Sequence, residues 1–121
     1  MILRYFTKDE INRVSFGCDD GYERMSVKAL IKYDELRHAA GFAMRPTCAF
    51  RTREYDISKK RSGNSKHCLG IAMDFHFNSM AQAIIIAIKA HELGFNGIAI
   101  DEELRFIHLD LREDELTTWD Y

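Results

Sequence analysis

The chain has 121 residues, 46% of them hydrophobic and 30% charged, with a formal net charge of −2. That is the size of one domain with its own core, too apolar for a disordered chain and too close to neutral to demand nucleic acid or an anionic membrane as a partner. The longest apolar run, Ala83 to Ile88, is far short of a membrane span, so one soluble domain over residues 1–121 is expected, without membrane insertion and as a monomer.

The opening Met1-Ile2-Leu3-Arg4-Tyr5-Phe6 has too short an apolar part for a signal peptide, and the chain as written is expected to stay in the cytoplasm. Tyr5-Phe6 is expected to pack on the domain, and Thr7-Lys8-Asp9-Glu10 is a capping-box pattern that opens a short helix near residue 8. Gly17 to Gly21 reads as a loop. Ser26 to Ala40 reads as a helix with a stripe of Leu30, Ile31, Tyr33 and Leu36, closed by Gly41. Thr47 to Phe50 is a short predicted strand. Arg51 to Lys66 is polar, basic and without period, so a long loop is expected, of the kind that often carries function.

Gly70 to Phe77 alternates as a strand, with Ile71, Met73 and Phe75 on one face and Ala72, Asp74 and His76 on the other. Ser79 and Gln82 form a second capping box ahead of an apolar helix that runs to about Leu93 and closes at Gly94. Asn96 to Ile100 and Glu103 to Leu111 are the last two predicted strands, expected to form an antiparallel hairpin, and Phe106, His108 and Asp110 share a face of the second. The charged tail Arg112 to Tyr121 is expected at the surface. This mixture predicts an α+β domain, a small antiparallel sheet with helices packed on one side.

The three cysteines, Cys18, Cys48 and Cys68, are odd in number and widely spaced, which indicates reduced thiols rather than a disulfide framework or a C-x-x-C knuckle. Cys68 adjoins His67 but is a poor fourth ligand, because neighbours on an extended chain point apart.

Three residues occupy informative places: His67 at the end of the long loop, Asp74 inside a strand and His108 inside the last strand. A strand carboxylate facing the interior needs a partner or a cation. If the two strands are adjacent, Asp74 and His108 converge and the loop brings His67 over them. Two histidines and a carboxylate leave a fourth tetrahedral position open, the ligand set of a catalytic zinc site. Spacing alone does not decide this: five histidines and many acids offer other trios, and a lone strand histidine is more often a hydrogen-bonded core residue.

The run Ser65-Lys66-His67-Cys68-Leu69-Gly70-Ile71-Ala72-Met73-Asp74 fits S-x-H-x-x-G-x-A-x-D. It resembles the first metal motif of the zinc D-alanyl-D-alanine carboxypeptidase and L-alanyl-D-glutamate endopeptidase superfamily, whose fold group includes phage endolysins, vancomycin-resistance dipeptidases and the hedgehog signalling domain. Phe106-Ile107-His108-Leu109-Asp110 is similar to the second motif, aromatic-x-H-x-D. Ala49-Phe50-Arg51-Thr52 resembles the end of the S-x-x-R-[ST] strand, with Cys48 in place of the serine.

The resemblance implies a hedgehog/D,D-peptidase-like fold, Zn2+ held by His67, Asp74 and His108, and Arg51 binding substrate or stabilising an oxyanion. It implies hydrolysis of peptidoglycan stem peptides by zinc-activated water, in a phage-type enzyme that waits in the host cytoplasm or rides on the virion. The general base departs from the pattern. Many relatives carry an acid three residues before the last histidine, where this chain has Arg105, whose side chain cannot accept a proton. Glu102, Glu103 and Asp110 are the candidates, with Asp101 in the same acidic run, and Asp110 is alternatively an acceptor that orients a ligand. The acidic run is equally well read as a solvated turn. His76 is a candidate hydrogen-bond partner at the site. Arg53, Lys59, Lys60, Arg61 and Lys66 read as a solvated basic face rather than a surface for anionic wall polymer. The competing reading of the whole chain is a non-catalytic zinc-containing phage or prophage module, structural or wall-binding, on the same fold.

Overall fold

The computed structural model describes residues 2–120, so the first and last residues of the expected domain lie outside the described residues. The helices begin where side chains can cap them. Thr7 Oγ1 accepts from Glu10 N ahead of α1 (Lys8–Arg13), and Ser26 Oγ accepts from Ala29 N ahead of α3 (Val27–Ala40). Gly41 ends α3 with φ 79°, a left-handed position that favours glycine. Ser79 Oγ caps α5 (Met80–Glu92), while Gln82 Oε1 reaches back to Asn78 N. α2 is a single turn, Gly21–Arg24.

Five strands form one sheet: β1 (Arg45–Cys48), β2 (Ala72–His76), β3 (Gly97–Asp101), β4 (Phe106–Asp110) and β5 (Thr117–Asp120), in the order β1-β2-β4-β3-β5. The expected α+β class and the antiparallel pairs around β2, β3 and β4 are found. The tail lies at the surface as expected, with none of residues 112–119 buried, but it also supplies an edge strand, β5, which runs parallel to β3 and makes the sheet mixed. Both edges of β4 are already filled by β2 and β3. A chain that reverses after β4 therefore pairs with the outer edge of β3, and it arrives running in the direction of β3.

The pairing sorts the sheet into two faces, since paired residues share a face and neighbours in sequence do not. Met73, Phe75, Ile98, Ile107 and Leu109 point to the helices and are buried with Ile11, Leu30, Tyr33, Leu36, Ile86 and Ala90. Tyr33 Oη, inside this core, donates to Leu109 O at 2.6 Å and Ile71 O at 3.2 Å and so ties α3 to both strands. Phe6 also packs on Phe75, with ring centroids 5.9 Å apart. The other face carries Asp74, His108 and Asp110, with Cys48 opposite Asp74 and Gly97 opposite Asp110. A Cβ on Gly97 would stand 2.2 Å from both carboxylate oxygens of Asp110, so only glycine leaves that carboxylate room.

Other boundaries also differ from the sequence reading, among them β1, which spans Arg45–Cys48 rather than the expected 47–50. The expected loop over 51–66 contains α4 (Arg53–Ser58), capped by Thr52 Oγ1 on Tyr55 N. It has no apolar stripe because the one residue it buries is Asp56, turned toward polar partners. The last strand begins at Phe106 rather than Glu103. Residues 102–105 form a turn in which Asp101 Oδ1 accepts from Leu104 N at 2.8 Å and Arg105 takes φ 57°. Cys18, Cys48 and Cys68 are free thiols. Among the described residues, no helix is long and apolar enough to cross a membrane.

Candidate metal centre and active site

His67, Asp74 and His108 meet on the polar face. Asp74 Oδ1 lies 3.2 Å from His67 Nε2 and 2.9 Å from His108 Nδ1, and all three side chains are almost removed from solvent. The β2–β4 register places Asp74 directly opposite His108. His67 arrives from the turn over residues 66–70, which is fastened to the sheet edge by Arg51 N donating to His67 O.

The far side of each ring is fixed. His67 Nδ1 lies 2.7 Å from Ala49 O, and a carbonyl only accepts, so Nδ1 carries the proton. Nε2 then presents its lone pair to a carboxylate oxygen. Two acceptors facing one another need a proton or a cation between them. His108 repeats the arrangement: Nε2 lies 2.8 Å from Asp110 Oδ2 while Nδ1 faces Asp74. Burial opposes charge on His108, yet its hydrogen bonds to Asp110 and Asp74 hold its pKa above the usual histidine value. Burial also opposes charge on Asp74, but His108 and His67 together drive its pKa well below the carboxylate range. Two nitrogens and one oxygen are thus aimed at one point, where either a proton or a cation joins each nitrogen to Asp74, and this donor set suits a divalent zinc.

Asp110 is fully buried and does not line the cavity above the cluster. Arg112 Nε and Nη2 hold its two oxygens at 2.8 and 2.7 Å. Asp110 therefore orients His108, the second of the two roles the sequence leaves open for it.

Cys48 lies closer to the centre than a serine replacement implies. Its Sγ is 3.7 Å from His67 Nδ1, and Cys48, His67 and Asp74 each offer a ligand atom within 4.8 Å of the others. Burial and the charge on Asp74 push the Cys48 thiol up to about 12, so at neutral pH it is protonated and a weaker ligand than His108.

The cavity over this floor has a volume of about 620 Å³. Arg51, Arg61, Lys66 and Arg112 give it cations, and Leu104, Phe106 and Trp119 give it an apolar side. Arg51 is held in place from behind. Its Nε lies 3.0 Å from Asp56 Oδ1, an ion pair too poorly aligned to be a directed hydrogen bond, and its Nη2 donates to Ser65 Oγ. Burial opposes the charge on Asp56, but donation from the Cys68 thiol and the Ser65 hydroxyl, with the charges of Arg51 and Arg61, keeps its pKa below the usual value. Cys68 serves this support and not the metal floor.

A family model described as Peptidase M15 matches residues 4–110. The chain belongs to the Peptidase M15 family. No curated protein gives a significant match. The M15 match makes the chain a member of a family of zinc-dependent metallopeptidases, and it spans every residue of the candidate centre through Asp110. β5 lies beyond it.

Not every candidate of the sequence reading reaches the M15 site. Glu102 lines a separate groove with Asn78, Ser79 and Arg105, and Glu103 is an exposed turn residue that does not line the cavity. The tight turn rotates both away, and Arg105 follows, with Nη1 donating to Asn78 O at 2.5 Å. Asp101 of the same run does line the cavity. His76 Nε2 pairs with Asn78 Oδ1 rather than with the cluster. Arg61 and Lys66, read as solvated, line the cavity. Asp56, Arg112 and Trp119 were missed, because Asp56 works through partners separated from it in sequence and the other two lie on a tail with no periodic signal.

Proposed function

We propose that this chain is a zinc-dependent peptidase that hydrolyses bonds in bacterial peptidoglycan stem peptides. Two imidazole nitrogens facing one buried carboxylate oxygen, beneath a cavity in a Peptidase M15 chain, carry this reading. His67, Asp74 and His108 would hold the zinc, with Ala49 O and Asp110 fixing the two rings. Zinc, when bound, supplies Lewis acidity that polarises a carbonyl and lowers the pKa of water.

The chain's own residues would do the rest. Arg51, braced by Asp56 and Ser65, presents a fixed positive charge to the carbonyl oxygen as it becomes an oxyanion. Asp101 is the one carboxylate besides Asp74 that lines the cavity among the described residues. It is our choice for the group that moves protons between water and the leaving amine. We place the enzyme in a phage or prophage setting, as a monomer held in the host cytoplasm or on the virion until it meets the wall.

The displacement of Glu102 and Glu103 from the cavity, with Arg105 turned away, favours one other reading, a non-catalytic zinc-containing wall-binding or virion module. Purified peptidoglycan separates the two. Release of amino termini by the zinc-loaded protein, lost in Asp101→Asn with zinc retained, is expected for the peptidase. Stoichiometric zinc without any release would leave the module.

A further inference from the structure

β5 brings to the site a residue that the mechanism above does not use. Trp119 pairs with Ala99 on β3, and its ring centroid lies 5.1 Å from that of His108. Arg112 Cζ stands 4.9 Å from the indole centroid while its Nε and Nη2 hold Asp110. The indole therefore rests on Arg112, which also holds the Asp110 that fixes His108. It is only half-buried, and with Leu104 and Phe106 it forms the apolar side of the cavity. A large rigid ring of this kind offers contact area at little conformational cost. Because it stands so close to His108, whatever it touches in the cavity sits beside the bond presented to the metal centre.

We propose that Trp119 is a specificity-determining residue, whose indole takes a small apolar side chain of the peptide next to the scissile amide. This rests on the peptidase reading above, but its test separates the two. Trp119 is the only tryptophan of the chain, so intrinsic emission reports this wall alone. The probe is a stem pentapeptide, L-Ala-D-Glu through D-Ala-D-Ala, together with analogues that carry glycine in place of each alanine.

Pentapeptide binding to the zinc-loaded protein is expected to shift the emission. Trp119→Ala is expected to raise KM about tenfold with kcat within about threefold, at unchanged zinc content, and Trp119→Phe to restore most of the loss. A glycine analogue should bind the wild type more weakly and Trp119→Ala no more weakly than the parent peptide. If Trp119→Ala and Trp119→Phe instead lower zinc content or kcat and leave KM alone, the indole only shields His108 and the proposal falls. Cleavage with unmoved emission and KM also overturns it while the peptidase reading stands. An emission shift without any cleavage removes the peptidase reading and with it the specificity role, leaving peptide binding alone at this wall. Neither shift nor cleavage removes both.

Discussion

Phe75 and Asp74 are consecutive residues of one strand and serve opposite purposes. Phe75 points into the helical layer, is fully buried and touches the rings of Phe6 and Tyr33. Its contribution is apolar surface removed from water, which tolerates neighbours of the right size and has no directional demand. Asp74 points the other way, nearly as buried, and its surroundings are made of oriented nitrogens. A buried charge tolerates no such looseness, because each donor must be present and aimed. The alternation of the strand lets one sheet hold both environments 180° apart, with the apolar face stiffening the backbone that positions the polar one.

The sharpest way to break this contrast is to change the two neighbours singly. Asp74→Asn should abolish zinc binding, measured by elemental analysis, and take activity to background while the far-ultraviolet circular dichroism stays that of the wild type. Phe75→Ala should do the reverse, with about 3–5 kcal/mol of stability lost in urea unfolding and zinc still bound at one equivalent below the transition. If Phe75→Ala loses zinc at full folding, the two faces are not separable as described.

A finer cut falls within the polar face. Asp110→Asn keeps the shape but weakens the acceptor for His108 Nε2 and for Arg112. A loss of about 10–100-fold in zinc affinity is expected, read by competition with a chelator. An unchanged affinity would mean that Asp110 serves Arg112 alone.

The smallest expected effect lies at Asp56, behind Arg51. Its folded pKa is below the unfolded value of about 3.9, so its contribution to stability is fully present above that unfolded value and fades as pH falls through the folded one. Asp56→Asn should therefore flatten the acid limb of the stability–pH curve below about pH 4. It should also raise KM, because Arg51 loses its brace. An acid limb identical to wild type would count against the ion pair.

Much of this was legible in the sequence where a signal is local. Thr7 and Ser79 announced two helix starts by capping, Gly41 announced a stop, and the alternation of Met73, Asp74 and Phe75 assigned faces before any pairing was known. The candidate metal trio could be picked out through ordered motifs, since His67 and Asp74 lie on one short run and His108 sits in an aromatic-x-H-x-D strand. What failed were segments whose structure answers to distant partners. α4 shows no apolar period because it buries Asp56 against Arg51, Ser65 and Cys68. Glu102 and Glu103 lie at reasonable sequence distances from His108, but a left-handed Arg105 closes the turn and sends them elsewhere.

By itself, then, the sequence determined the class of fold, the ends of the main helices and the inward face of each central strand, which depend on capping and period within a few residues, while the candidate zinc residues came from ordered motifs that resemble a family's. Tertiary structure decided which carboxylate faces the cavity, which one orients His108, and that the tail returns as β5 to set Trp119 against the site. Those outcomes depend on which strand edge was free and which way a turn closed, and both are settled only when the whole sheet is assembled.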